Sequence, residues 1–300
     1  MDQPNSKDTQ PTFESVLYDE PRPHIARVTM NRPEKRNAQN MQLTYDINSA
    51  LDYAVREQRI KIIVLAGAGA HFSAGHDFGG DPGKTYKDFP LVSSWANFEA
   101  AGAEGRFSRE MEIFLEITER WRNLSKPMIA QVQGKCITGG LMLAWCCDII
   151  IASEDAEFIC TSTKMGGTGV EFWAYPWEIG PRRAKQWMLT DGRLSAQKAQ
   201  EFGMVNEITS RDNLEQYTLD FAEKMAKHTT WTLNMTKLAV NHAQDLQGRR
   251  ASIQYAFMMH QLGHAHRVAI HGTGVDTSVL SENLQAKYRA RQERQDLKGL

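Results

Sequence analysis

The sequence predicts an α/β protein with parallel strands. Twice along the chain, at 60–77 and at 126–140, a short apolar run suited to a buried strand leads into a loop rich in glycine. The second loop is followed by a helix-forming stretch and then by a run of β-branched residues. A repeated order of buried strand, loop and helix is typical of parallel strands, because each return to the sheet needs a crossover.

Composition and charge exclude several classes of protein. Of the 300 residues, 41% are hydrophobic and 24% are charged, as in soluble globular proteins. The net charge of -1 argues against nucleic-acid or membrane-surface binding. The chain shows no run of about 18 apolar residues and no apolar N-terminal segment, so we expect neither a membrane span nor a secretory signal. Four cysteines lie within apolar runs and are predicted to be core thiols without disulfides or metal-ligand spacing: Cys136, Cys146, Cys147 and Cys160. We therefore expect a cytoplasmic protein without a bound metal.

The first half of the chain contains a polar tail, three strands and two helices. Residues 1–12 are predicted to be disordered because they are polar and include two prolines. Asn37 is predicted to cap the first helix, whose apolar residues recur at near-helical spacing. The predicted strands are 16–20, 25–30 and 60–66, and the predicted helices are 38–57 and 108–124.

The second half predicts a strand–helix–strand unit and then mainly helices. A helix begins at or just after Gly139, between strands at 128–132 and 149–151. Ser195 is predicted to cap a short helix that ends at Gly203, before a strand at 204–209. Further helices are predicted at 213–227, 230–247, 250–266 and 279–295.

Both glycine loops expose backbone that a ligand can approach. The first N–H groups of the helix at Gly139 have no partner within the helix, so they suit a carbonyl oxygen that becomes negative during a reaction. The loop at 67–77 has the same composition and would offer a second N–H near Gly75 and His76. A tight strand-to-helix turn is the alternative. Neither known phosphate-binding glycine motif occurs in this loop.

Four segments resemble the crotonase, or enoyl-CoA hydratase/isomerase, superfamily, in its order and at its spacing. They are RPEKRNA (32–38), HFSAGHDF (71–78), KPMIAQVQGKCITGGLMLAWCCDIIIAS (126–153) and LTDGRLSAQKAQEFGMVNEI (189–208). The resemblance implies a β–β–α spiral core with a C-terminal helical region. It also implies binding of acyl-CoA thioesters, whose enolate-like oxyanion is stabilised by two backbone N–H groups.

The resemblance assigns the oxyanion donors to His76 and Gly139. Thr138 stands where the family usually has a further glycine, which is tolerable if the loop keeps its shape. Residues implied to line the substrate site are Ala74, Gly75, Asp77, Gly140, Met142, Ser162 and Trp173, and Lys35 and Arg36 are candidates for the CoA phosphates. A catalytic role for the His76 side chain is a separate hypothesis, against the more common role of a satisfied polar group.

The sequence departs from the family's hydratases at the two glutamates that activate water. The matching positions hold Met142 and Ser162, and neither side chain is an effective acid or base at neutral pH. Glu171 lies at or one residue beyond the place where isomerases and dehalogenases of the family carry an aspartate. Glu171 is thus either the remaining acid/base group or a solvated loop residue, and Glu178 is a weaker candidate. Glu157 resembles a surface position.

Aromatic residues are concentrated in the connection 79–105 and in the segment 172–177. They either pack in the core or line an acyl pocket, since ligand sites are mostly apolar.

These observations predict a core at 13–210 and a C-terminal helical trimerisation region at 211–300. The expected function is that of an acyl-CoA enzyme in fatty-acid or related metabolism, with no cofactor beyond the CoA thioester substrate. The alternatives are isomerisation, hydrolysis or decarboxylation on the same oxyanion site, and a non-catalytic acyl-CoA-binding or RNA-binding protein. A homotrimer or a dimer of trimers is the expected assembly.

Overall fold

A computed structural model describes residues 10–77, 79, 83–163, 167, 173–190, 192–272, 282, 285 and 286. Strands and helices alternate, as the sequence predicts. The strands are β1 (Val16–Arg22), β2 (Ile25–Met30), β3 (Ile62–Gly67), β4 (Met128–Val132), β5 (Lys135–Ile137), β6 (Ile149–Ser153), β7 (Glu157–Ile159), β8 (Arg193–Ser195) and β9 (Glu207–Thr209).

The helices fall into a core set and a C-terminal set. The core set comprises α1 (Met41–Arg56), α2 (Gly102–Glu110), α3 (Ile117–Arg122), α4 (Gly139–Trp145), α5 (Tyr175–Ile179), α6 (Pro181–Leu189) and α7 (Ala196–Glu201). The C-terminal set comprises α8 (Leu214–Ala226), α9 (Thr230–Leu246) and α10 (Arg249–His271). A π-helical segment, Met111–Glu116, joins α2 to α3.

The larger sheet has the strand order β1-β2-β3-β4-β6-β9. Only β1 and β2 pair antiparallel, and every later pair is parallel. Each central strand is a fully or almost fully buried apolar run, as parallel strands covered on both faces require. The predicted parallel α/β core is therefore confirmed.

A second, smaller sheet has the order β5-β7-β8 and runs beside the first. The strands β4 and β6 of the larger sheet are followed directly by β5 and β7 of the smaller one. After β3 the chain makes the same move, because Ser73 forms an isolated parallel bridge with Cys136 in β5. The chain thus adds a strand to the larger sheet and then a segment to the smaller sheet before each crossover. This connectivity produces a β–β–α spiral.

The main core lies between the two sheets and the helices α1 and α4, and a second apolar cluster fills the other face of the larger sheet. In that second cluster α8 places Leu219 and Ala222 against Ile62 and Ile129. The four cysteines are free, and burial raises the pKa of the Cys136 and Cys146 thiols.

Local predictions succeeded where periodicity was strong and failed at several boundaries, including those of β9, which begins at Glu207, and α10, which ends at His271. The cap of α1 is Asn40, whose side chain accepts from the Leu43 N–H at 3.0 Å, so the prediction of Asn37 was wrong. Asn37 has φ 52° and serves the preceding loop instead. The predicted helix 108–124 begins earlier, at Gly102, and contains the π-helical segment. Ser195 caps α7 as predicted.

The last two described helices carry many apolar side chains on their surface. Exposed members are Trp231, Met235, Leu238, Val240, Leu246, Tyr255, Met258, Leu262, Val268 and Ile270. Most of the predicted helix 279–295 lies outside the described residues. Within the described part of the chain, no helix has the length and apolar character needed to cross a membrane.

Candidate active site

The two glycine loops lie side by side where the chain passes from the larger to the smaller sheet. The Ile137 N–H donates to the Ser73 carbonyl at 2.9 Å. Gly75 has φ 89°, and a Cβ there would lie 2.8 Å from the Ile137 carbonyl oxygen and 3.3 Å from the Gly139 nitrogen. Only glycine fits this backbone conformation and this spacing. The structure therefore brings Gly75 directly against the start of α4.

The backbone around His76 is held by a bridge on one side. The Gln39 N–H donates to the Gly75 carbonyl at 2.7 Å, and the Asp77 N–H donates to the Gln39 carbonyl at 2.8 Å. Successive residues of an extended chain direct their N–H groups to opposite sides, so the His76 N–H points away from Gln39. The bridge to Gln39 thus fixes the direction of the His76 N–H without using it.

The imidazole of His76 lies over the first residue of α4. A Cβ on Gly139 would lie 2.8 Å from His76 Nε2 and 2.9 Å from Cε1. The ring also contacts Phe114, at 4.8 Å between centroids. A Cβ on Gly140 would lie 2.7 Å from the Ser73 carbonyl oxygen. Gly140 is therefore required by a backbone contact, whereas Gly139 is required only while the His76 ring keeps its position. The ring and the backbone of His76 both lie beside the start of α4.

Thr138 keeps the loop in shape in spite of its side chain. It has φ 42°, a region that β-branched residues rarely adopt. Its hydroxyl is 2.7 Å from the Thr161 hydroxyl and accepts from the Thr161 N–H at 3.1 Å. The Thr138 N–H donates to the Ile159 carbonyl at 2.8 Å. These hydrogen bonds to Ile159, at the end of β7, and to Thr161 beyond it offset the strain of the positive φ at Thr138. Gly139 is then the first residue of α4.

Neither position of the hydratase glutamates offers a carboxylate. Met142 is 1% exposed and packs in the core one turn after Gly139. Ser162 is also buried, and its hydroxyl has no hydrogen-bond partner among the described residues. Glu171, the predicted replacement, lies outside the described residues.

Glu178 has an unusual environment but faces other charges. It lies on α5, and burial raises the pKa of its carboxyl to about 7, against the attraction of Arg249 and Arg122. Both arginines belong to an ion-pair cluster with Asp245. The charges that act on Glu178 therefore come from Arg122 on α3 and Arg249 on α10. Among the described residues, no contact links Glu178 to His76 or Gly139.

Glu112 is a buried carboxylate that the sequence analysis missed. It is fully buried in the π-helical segment and accepts hydrogen bonds from the Tyr45 hydroxyl at 2.8 Å and from the N–H groups of Val92 and Ser93 at 3.0 and 2.6 Å. Three donors on one carboxylate explain its burial without a counter-charge. Its role is to hold the segment 92–93 in place. The sequence around Glu112 contains no motif, so the sequence analysis could not identify it.

Basic side chains converge beside the first glycine loop. Lys35 and Arg36 are exposed, as expected for groups that meet a ligand's phosphates. The structure adds Lys135 and Arg211, which with Arg36 act electrostatically on His71. Burial and these three cations lower the His71 pKa. The signal for Lys135 was present, since it directly follows Gly134 in the recognised motif. Arg211 reaches the loop only in the fold, where it donates to the Ala70 carbonyl at 2.8 Å.

Two predicted site residues hold the loops together. The Asp77 carboxylate pairs with Arg32 at 3.0 Å and accepts from the Gly79 N–H at 2.8 Å. The Ala74 N–H donates to the Arg36 carbonyl at 2.9 Å. The Asn37 side chain also joins the loops, because its amide donates to the carbonyls of Ala68 and His71 at 2.9 Å each.

Aromatic residues at 173–187 form a cluster that packs against Trp145 of α4. Tyr175 is the centre, with ring centroids 4.7 Å from Trp145, 5.5 Å from Trp187 and 5.3 Å from Trp173. Tyr175 is buried, so for it the packing alternative is correct. Trp173 is half-buried at the edge of the cluster. A cavity of about 240 Å³ near Tyr86 and Phe98 includes none of the predicted site residues.

Comparisons with known proteins identify the family to which the chain is similar. The sequence model of the family described as enoyl-CoA hydratase/isomerase matches residues 20–289. A protein of Mycobacterium tuberculosis that carries the name enoyl-CoA hydratase EchA13 is 38% identical over 81% of this chain and 78% of its own length. The 1,2-epoxyphenylacetyl-CoA isomerase of Escherichia coli is 28% identical over 73% of this chain and 79% of its own. A crystal structure from Mycobacterium smegmatis, described as that of an enoyl-CoA hydratase, superimposes with a TM-score of 0.78 at 39% identity, covering 87% of this chain and 99% of that chain.

Proposed function

Because the chain belongs to the enoyl-CoA hydratase/isomerase family, we propose that it binds an acyl-CoA thioester and stabilises the thioester oxyanion with the backbone N–H groups of His76 and Gly139. The observation that carries this proposal is the contact of the two glycine loops, in which a Cβ on Gly75 would stand 3.3 Å from the Gly139 nitrogen. Removing a proton next to a thioester carbonyl places negative charge on its oxygen. Two fixed donors aimed at that oxygen stabilise it where the reaction needs it.

The acid/base groups favour a reaction other than water addition. Addition of water to an enoyl-CoA needs a group that activates the water, and Met142 and Ser162 supply none. A single positioned acid or base contributes about 10²- to 10⁴-fold to a rate. We therefore propose slow hydration of short enoyl-CoA substrates, and a faster proton transfer, such as double-bond isomerisation, with Glu171 as the shuttle. Hydrolysis and decarboxylation on the same oxyanion site are the further possibilities within the proposal.

The basic side chains next to the first loop suit the phosphates of CoA. Arg36 accepts from the Ala74 N–H and Lys135 from the Ser73 N–H through their carbonyls, and Arg211 donates to the Ala70 carbonyl. Lys35 precedes Arg36 in the chain. Phosphate groups bind best where several Lys and Arg side chains converge. In this proposal the CoA phosphates lie at this basic rim and the thioester reaches Gly139. No further cofactor is needed for the reaction.

The exposed apolar side chains of α9 and α10 support self-association. Several large side chains there are more than half exposed, including Trp231 at 71% and Leu246 at 75%. A row of this kind on two adjacent helices is typical of a protein interface. We propose that this surface joins copies of the chain in a trimer or a dimer of trimers.

The test is turnover of a panel of acyl-CoA thioesters by the protein and by Glu171→Gln. The best substrate should lose at least about 10²-fold in kcat in the variant, with unchanged affinity. Glu157→Gln, at a half-buried position in β7 where the carboxylate pairs with Arg193, is the matched control and should retain full activity. Undiminished turnover by Glu171→Gln, or efficient hydration of crotonyl-CoA by the unmodified protein, would refute this assignment of the reaction.

A second candidate is an acyl-CoA-binding protein without turnover. The specific observation in its favour is that Met142 and Ser162 replace both glutamates within an intact fold. Tight binding of acyl-CoA together with no conversion of any member of the panel would identify this function.

A further inference from the structure

A cluster of two histidines and one glutamate lies between α2 and α10, outside the proposed thioester site. His260 and His264 stand four residues apart on α10, so their side chains share one face of the helix. Glu110 ends α2 and faces them. All three side chains are mostly buried, with exposures of 11%, 14% and 16% for His260, His264 and Glu110.

The spacing of the ligand atoms fits a tetrahedral metal ion. His260 Nε2 lies 3.2 Å from one Glu110 oxygen, and His264 Nε2 lies 3.3 Å from the other. One ligand atom from each residue can be chosen so that all three lie within 4.8 Å of one another. Ligands at 2.0–2.2 Å from zinc stand about 3.3–3.6 Å apart in a tetrahedron. Small rotations of these side chains would therefore bring the three around one ion.

A second observation points to a ligand at this place. Both ring nitrogens of His260 are buried and have no hydrogen-bond partner among the described residues. The 3.2 Å contact of its Nε2 with Glu110 is an ion pair only while the ring is protonated, and Nδ1 has no partner among the described residues. A buried polar side chain is normally satisfied, and the cost of leaving it without a partner is about 1–3 kcal/mol. A metal ion at the centre of the cluster would satisfy the ring nitrogen that faces Glu110.

The carboxylate is already oriented by a neighbouring side chain. Gln261 Nε2 donates to Glu110 Oε2 at 2.6 Å. Hydrogen bonds to metal-binding carboxylates fix their direction and support affinity. We propose that Glu110, His260 and His264 form a binding site for a divalent transition metal, zinc by the nature of its ligands, with a fourth position left for water.

Arg267 sets the strength of this site. Its guanidinium lies 3.1 Å from His264 Nδ1, and since arginine only donates, Nδ1 is the acceptor and the ring proton is on Nε2. Zinc bound at Nε2 would move that proton to Nδ1, where it would face the guanidinium. Arg267 therefore opposes metal binding. A side chain at position 267 that accepts a hydrogen bond from His264 Nδ1–H would favour metal binding.

The location separates the metal from the thioester site. Phe114 lies between the cluster and the thioester site, 6.2 Å from His260 and 4.8 Å from His76 between ring centroids. An ion bound by the cluster would not touch a substrate at Gly139. It would join α10 to the end of α2, at the start of the π-helical segment that carries Phe114.

The experiment is zinc titration calorimetry on the full chain without an affinity tag, after treatment with EDTA. One zinc ion per chain should bind, with a Kd on the order of micromolar or tighter. Glu110→Gln and His264→Ala should each weaken binding by more than the roughly 10- to 100-fold that changes outside the ligand set cause. His266→Ala is the matched control, because His266 is exposed on the same helix, and should bind as the unmodified chain does.

Two further measurements keep the proposal falsifiable if a ligand variant fails to fold. Cobalt in place of zinc should give the intense visible absorption of a tetrahedral site. Arg267→Gln should bind zinc about tenfold more tightly, because the amide oxygen accepts from Nδ1–H. Absence of stoichiometric binding, binding that His266→Ala weakens as much as Glu110→Gln, or an unchanged affinity in Arg267→Gln would each overturn the proposal.

Discussion

Replacement of Gly139 by alanine tests the geometry of the site through its effect on folding. The new Cβ would lie 2.8 Å from His76 Nε2 and 2.9 Å from Cε1, well inside van der Waals contact. The imidazole must move, and its room to move is limited by Phe114. Overpacking of this kind costs about 1–3 kcal/mol of the free energy of unfolding.

The matched experiment removes the ring before adding the methyl group. In a His76→Ala background the space is open, and alanine is favoured over glycine in a helix by up to about 1 kcal/mol. Gly139→Ala should therefore be neutral or stabilising there, although it destabilises the unmodified chain. The difference between the two backgrounds, measured by urea unfolding of all four proteins, should be about 2 kcal/mol.

Equal effects of Gly139→Ala in both backgrounds would refute the contact between His76 and Gly139. The same four proteins also report on chemistry, since His76→Ala keeps the backbone N–H. Loss of one oxyanion donor costs about 10²- to 10³-fold in kcat, so Gly139→Ala, by displacing the loop, should reduce turnover more than His76→Ala does.

Three further predictions concern pH, ligand and assembly. Glu178 has its pKa raised from 4.5 to about 7, so the folded state binds the proton more tightly, and stability should fall as pH rises from about 4.5 through 7. Glu178→Gln should reduce this fall between pH 5 and pH 8 by about 1–2 kcal/mol in urea unfolding, allowing for the partial exposure of the side chain, and an unchanged pH profile would contradict this. Acyl-CoA at about 100 times its Kd should raise the free energy of unfolding by roughly 2.7 kcal/mol, and Arg36→Ala with Lys135→Ala should weaken binding and its dependence on salt. Sedimentation at micromolar concentration should show a trimer or larger, which Leu238→Glu on α9 disrupts and the control Leu17→Glu on the edge strand β1 does not; a monomer would refute the proposed interface.

The sequence predicted those parts of the fold that depend on local patterns. Buried strands such as β3 and β4 are continuous apolar runs, and Gly139 marks the start of α4 because glycine pairs interrupt the strand before it. The proximity of Gly75 to Gly139 had no local signal. It rests on the bridge of Ser73 to Cys136, a single pair of residues without periodicity.

The residues that the sequence analysis missed depend on backbone conformation or on distant contacts. Asn37 and Asn40 are both able to cap a helix, and only the left-handed backbone at Asn37 separates them. Arg211 reaches the loop at Ala70 from 141 residues away. Glu110 meets Gln261 across 151 residues, so no spacing rule could have placed it beside the histidines of α10.

The central claim is that the N–H groups of His76 and Gly139 hold the oxygen of a thioester. Its most direct test is isotope-edited infrared spectroscopy of an acyl-CoA labelled with ¹³C at the thioester carbonyl. Two hydrogen bonds to the oxygen weaken the carbonyl bond, so the bound ligand should absorb at lower frequency than it does in water, and Gly139→Ala should reverse most of that shift. A bound thioester whose carbonyl frequency equals that of the free ligand would contradict the account.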